Sequence, residues 1–145
     1  MPTPEELEVE VAIVRGKDCL SRAVLRPPEG LTVGSSDQAM IRLEDPSVPH
    51  LLPVVEFRDS RPILLFREDA HIEVDADGDR LDSASLLVLG MAARGDGLLG
   101  MAMGPGVRAV LRVGPFRLLL KSRQAIGVSV WNRAAGSATE CGGCG

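Results

Sequence analysis

The sequence predicts an all-β fold, an antiparallel β-sandwich with a flexible C-terminal tail, on three observations. Leu7 to Val14 alternates strictly between an apolar and a mixed side. Turn residues recur at short, regular spacing from Gly16 to Gly78. A second alternating pair, Val107 to Val113 and Phe116 to Lys121, folds back around Gly114-Pro115. Alternation with period two marks strands that bury one face, and several such strands at short spacing suit a sandwich. A chain of 145 residues supports one domain burying roughly 68–70% of its unfolded surface, and is too short for two ordinary domains.

The first strand puts Leu7, Val9, Val11 and Ile13 on one side and Glu8, Glu10, Ala12 and Val14 on the other. The polar break Arg15-Gly16-Lys17-Asp18 leads to Leu20–Leu25, making a hairpin that ends at Pro27 and Pro28, since neither proline donates to a ladder. Leu31–Val33 is a short strand stopping at Gly34. Ser35 to Gln38 is a loop, and Met40–Leu43 is extended again. Asp45 to His50 is a loop built on two prolines. Leu51–Phe57 and Pro62–Phe66 are strands, the second apolar on both faces and therefore central. Ala70–Val74 alternates, and Asp77-Gly78 is a strong hairpin dipeptide. Asp82 or Ser83 caps either one short helix or an irregular covering segment running toward Met91. Gly95 to Gly106 is a glycine-rich loop with a weak strand, and Ile126–Trp131 adds a last strand. The expected architecture is roughly ten short strands in a domain over 1–131, followed by a small-residue tail over 132–145.

Composition narrows the function classes. Sixteen basic against twenty acidic side chains, a net charge of −4, give no footprint for a phosphate backbone, and with no Tyr, one Trp and three Phe there is little for bases to stack on. No uncharged run approaches the ~18 apolar residues of a membrane span. The acidic opening MPTPEELEVEV is unlike the basic, then apolar start of a signal peptide. Three cysteines, two of them within the last five residues, make a poor disulfide framework and suit a reducing cytoplasm. A cytoplasmic protein is expected, without a membrane span or a nucleic-acid partner.

The richest stretch is LTVGSSDQAMIRLEDPSVPHLLPVV, from Leu31 to Val55. Gly34 closes one strand, Ile41-Arg42-Leu43 forms the next, and Ser47 with His50 makes a Ser-x-x-His after the Asp-Pro turn. This arrangement resembles the core of the forkhead-associated (FHA) domain, a likeness extending over about residues 8 to 121 and carried by the Gly34 to His50 part. The resemblance implies a β-sandwich whose loops at one end hold a phosphothreonine peptide. In that family an arginine after the glycine and the motif's serine hold the phosphate, the histidine braces the loop, and a later asparagine grips the peptide backbone. Here the arginine position is Ser35, and the one asparagine, Asn132, lies beyond the expected domain. Losing the guanidinium removes the group best suited to a phosphate dianion. Arg42 could substitute, but strand parity does not place it. The pattern is most similar to degenerate FHA-like domains of the myxobacterial type, which keep the sandwich and lose the phosphate site. The expectation is a non-enzymatic adaptor that takes a protein or peptide partner, with Ser35, Ser36, Arg42, Ser47 and His50 as polar contacts and no cofactor.

Other constellations have simpler readings. His50 alone reads as a loop histidine hydrogen-bonded to backbone, and His71 as a strand residue facing solvent. Neither has a nucleophile at triad spacing, so no hydrolase follows. Asp75, Asp77 and Asp79 surround a glycine in the fourth place of a would-be calcium loop instead of the sixth, with Leu86 where the bidentate Glu belongs; a solvated hairpin fits better. The glycines from Gly95 to Gly106 have no Gly-Lys-Ser/Thr ending. Cys141-Gly-Gly-Cys144 offers two soft ligands or a redox pair. A structural zinc needs four ligands, so Cys19 and a histidine would have to converge on it; a metal- or thiol-handling protein is the alternative from another class.

Overall fold

The computed structural model describes residues 7–95 and 97–124. Their elements run β1 (Leu7–Arg15), β2 (Asp18–Leu25), β3 (Leu31–Gly34), β4 (Ile41–Arg42), β5 (Leu52–Arg58), β6 (Arg61–Phe66), β7 (Ile72–Ala76), β8 (Asp79–Leu81), α1 (Ser83–Val88), β9 (Ala93–Arg94), β10 (Leu99–Ala102), β11 (Arg108–Val113) and β12 (Phe116–Gln124). They form two six-stranded sheets, ordered β2-β1-β12-β11-β7-β8 and β4-β3-β5-β6-β10-β9. Among the described residues every pairing is antiparallel except β3 with β4. The expected all-β sandwich is the observed one.

The alternation read from the sequence is what joins the layers. Val9, Val11 and Ile13 of β1 and Leu118 and Leu120 of β12 meet Val33, Val54, Leu64, Phe66 and Met101 of the second sheet in one continuous core. Each such apolar side chain contributes about 1.5–3 kcal/mol by leaving water. β6 lies between β5 and β10, as its two apolar faces require. The outward side of β1 holds one surprise. Glu8 is only 2% exposed, its carboxylate receiving Arg26 Nε at 3.0 Å and Arg123 Nε at 2.7 Å. A buried carboxylate is tolerable when its lone pairs are met by charged donors, and here two guanidinium groups meet them.

Several expectations shift. Twelve strands replace roughly ten, because β4 and β9 are two-residue ladders. The extended Met40–Leu43 reduces to Ile41–Arg42, since Met40 N–H turns back to Thr32 Oγ1 at 3.0 Å. The strand expected over Ala70–Val74 begins at Ile72, because Ala70 N–H closes a turn onto Arg67 O at 3.0 Å. His71 is accordingly a loop residue just ahead of the strand, exposed as expected. Between the two forms left open over 82–91, the structure has a short helix. Asp82 caps it by accepting Ser85 N–H at 2.9 Å, and Gly90, at φ +75°, ends it before Met91. Asp77 and Gly78, with φ +52° and +85°, make the tight turn between β7 and β8 that the dipeptide predicts. The strand expected over Ile126–Trp131 and the tail over 132–145 lie outside the described residues, as does the end of the domain at 131.

Candidate functional site

Four connections gather at one end of the sandwich: the β1/β2 turn, the β3/β4 loop, the β4/β5 loop and the β11/β12 turn. Gly34 is the joint between two of them. Its φ of +156° lies outside the usual range of L side chains, and a Cβ there would run into the His50 carbonyl oxygen and come 2.9 Å from Pro49 O. That close approach lets Ser35 N–H donate to Pro49 O at 3.1 Å and Ser36 N–H to His50 O at 2.9 Å, while Gly34 O accepts Leu43 N–H at 2.7 Å. The two loops are therefore latched together, backbone to backbone. It is the backbone carbonyl of His50 that takes part in this latch; its side chain is exposed.

Ser47 is turned to a different use from the one its motif implies. Asp45 Oδ1 accepts both the Ser47 N–H at 2.9 Å and the Ser47 hydroxyl at 2.5 Å. These two bonds, with a lesser attraction from Arg15, hold the Asp45 carboxyl below the usual carboxylate range against the opposing effect of desolvation. The hydroxyl's one proton is thus committed to a carboxylate. Gly114 seats the β11/β12 turn against this pair, since a Cβ there would stand 2.6 Å from Ser47 Oγ.

Arg42 does lie over the β3/β4 loop. Its Nε donates to Ser35 O at 3.1 Å, and its guanidinium reaches Asp37 at 3.3 Å and Glu44 at 3.9 Å. The cation is present beside Ser35, but two carboxylates already share it. Ser36 Oγ accepts Gln38 N–H at 3.1 Å, fixing the loop from inside. Of the five residues singled out in the sequence, Ser35, Ser36, Ser47 and His50 thus fall on one pair of latched loops and Arg42 on the short strand β4 between them. Sequence reasoning missed Asp45, whose spacing two residues before Ser47 is the signature of a side-chain-closed turn, and it missed Asp37 and Glu44 as partners of Arg42.

Beside the loops, between the edge strands β2 and β4, opens a groove of about 400 Å³. Leu20, Ile41 and Phe116 supply apolar lining, and Arg15, Arg42 and Glu44 are charged members of the same wall. Arg15 stacks its guanidinium 5.6 Å from the Phe116 ring centroid. Among the described residues no three His, Cys, Asp or Glu side chains come together as a metal site, and no helix is long and apolar enough to cross a membrane. Cys19 is a free, half-buried thiol on β2; Cys141 and Cys144 lie outside the described residues. Comparison of the chain with protein-family models and with curated proteins finds no match in either.

Proposed function

We infer that this chain is a non-enzymatic interaction module, an FHA-like adaptor that takes a protein or peptide partner at its loop end without reading phosphothreonine. The supporting observation is the Asp45–Ser47 pair. The serine of the Ser-x-x-His gives both of its donors to a carboxylate, which substitutes an internal anion for an external one. The remaining loop end is a fixed platform in which His50 and Ser47 are exposed and Ser35 and Ser36 half-exposed, next to an apolar groove. Loops held on a rigid sheet are where recognition concentrates. The polar contacts to a partner are Ser35, Ser36, Ser47 and His50, with Arg42 available to a partner carboxylate that displaces Asp37.

The test is partner capture by the full chain from lysate with and without phosphatase treatment, repeated with Ser47→Ala/His50→Ala. The reading expects the same partner in both lysates and its loss in the double variant. Capture that the folded variant retains would refute it.

Arg42 supports a second reading, phosphopeptide binding through a displaced arginine, because its guanidinium lies on the loop where the resemblance puts one. That reading requires Arg42 to leave Asp37 and Glu44 for the ligand. It predicts binding of a phosphothreonine peptide that phosphatase abolishes and Arg42→Gln removes.

A further inference from the structure

The outward face of the β11–β12 hairpin carries two cross-strand pairs of like charge. In its register Arg112 lies opposite Arg117 and Arg108 opposite Lys121, with Val110 and Leu119 facing each other between the two pairs. The neighbouring positions Ala109, Leu111, Leu118 and Leu120 are buried, so these six side chains share the outer face. Like charges placed directly opposite across a ladder repel, and none of the four cations forms an ion pair among the described residues. The carboxylate nearest in register to Lys121, Glu10, is turned to Arg22 at 3.1 Å and Arg123 at 3.8 Å. Leu119 is 38% exposed at the centre; beside the hairpin Arg112, Arg117 and Val110 form one wall of a depression of about 760 Å³ whose other side carries Glu68, Asp69, Glu73 and Asp82, so the cations on the hairpin itself, and not the depression, suit a carboxylate.

We propose that this face binds an extended acidic segment of a partner polypeptide, with carboxylates on the two cation pairs and an apolar side chain on Val110 and Leu119. The geometry sets the pattern. Arg108 and Arg112 are four residues apart on one strand, about 14 Å at ~3.4 Å per residue, with the apolar pair midway. An extended ligand reproduces that spacing as acidic-x-apolar-x-acidic, because its alternate side chains also share one face. Across the strands the track is two strands wide. On the β7 side Glu73 lies opposite Val110 and Asp75 opposite Arg108, and they repel a carboxylate that strays off the hairpin. A nucleic acid suits the face less well: the chain carries a net charge of −4, and among the described residues the exposed large apolar side chains include no aromatic ring for a base to stack on.

The test uses a fluorescein-labelled peptide repeating Glu-Thr-Val-Thr, followed by anisotropy against the full chain at low and physiological salt. Its controls are a peptide of the same composition in shuffled order and a single-stranded oligonucleotide. Saturable binding is expected, weakened by salt, by shuffling, and about tenfold or more by Arg112→Glu/Arg117→Glu, the scale of losing a charge-assisted bond. Ser47→Ala/His50→Ala should leave it unchanged, which keeps this face separate from the loop end. If the charge-reversed protein loses its circular dichroism spectrum, Arg112→Gln/Arg117→Gln takes its place, with the same loss expected. Absence of saturable binding, equal affinity in a folded variant, or tighter binding of the oligonucleotide than of the peptide would each overturn the proposal.

Discussion

Replacing Gly34 by alanine tests how the loop end is built. The new Cβ meets the His50 carbonyl oxygen and stands 2.8 Å from the carbonyl carbon, at a φ of +156° that L residues rarely adopt. Backbone strain of this kind costs about 1–3 kcal/mol. Moving the 49–50 segment aside breaks the bonds from Ser35 N–H and Ser36 N–H, at about 1 kcal/mol each. The sum is about 3–5 kcal/mol, a large part of the ~5–15 kcal/mol that stabilises a domain. At roughly 2–4 °C per kcal/mol for a chain near this size, the melting temperature should fall by about 10 °C. Gly16→Ala is the control: it has a positive φ of +62° but nothing within 4 Å of its Cβ, so strain alone acts and the loss should be about 1 kcal/mol. Urea unfolding followed by circular dichroism gives both numbers, and amide exchange at Ser35 and Ser36 reports the latch directly. If Gly34→Ala costs no more than Gly16→Ala and leaves those amides protected, the latch does not hold the loops.

Three further outcomes follow from the charges. Asp45, Glu68 and Asp82 all titrate below their ordinary values, chiefly through hydrogen bonds from Ser47, Arg94 and Ser85 respectively. Depressed folded-state values mean that their stabilisation is present above the unfolded carboxylate range near ~4 and is lost as pH falls through the lower folded values. Melting temperature should therefore drop below about pH 4, less steeply in Asp45→Asn; an identical slope in the variant would count against the Asp45–Ser47 bond. Arg112→Glu converts a repelling cross-strand pair into an attracting one with Arg117 and should stabilise the protein by about 0.2–1 kcal/mol, read by urea denaturation; destabilisation would mean the repulsion is not felt. Glu8→Gln weakens two charge-assisted bonds from arginines that can rehydrate, at about 1.5–3 kcal/mol; an unchanged urea midpoint would show that the buried carboxylate contributes nothing.

The long hairpins were legible because their information is local. β1 and β12 each alternate over nine residues, and a two-residue turn at Gly114-Pro115 leaves no choice of partner. The two-residue strands β4 and β9 carry no period to read, and the parallel β3–β4 pairing depends on a loop folding back, which hydrophobic spacing does not encode. Glu8 shows the same limit: alternation puts it on the outer face correctly, but its burial comes from Arg26 and Arg123, 18 and 115 positions away. The Ser-x-x-His and Gly34 were visible as a spacing, and they do fall on adjoining loops. What Ser47 and Arg42 are bonded to was not visible, because a side chain's partner is set by geometry across loops; only Asp45, two residues before the serine, was within reach of a sequence rule.

The central claim is that an internal carboxylate has taken the place of a bound phosphate. Titration of a phosphothreonine peptide library against the full chain, alongside the same peptides unphosphorylated, addresses it most directly. The account predicts no phosphate-dependent binding by the natural sequence. Saturable binding that requires the phosphate and disappears with Ser47→Ala would contradict it.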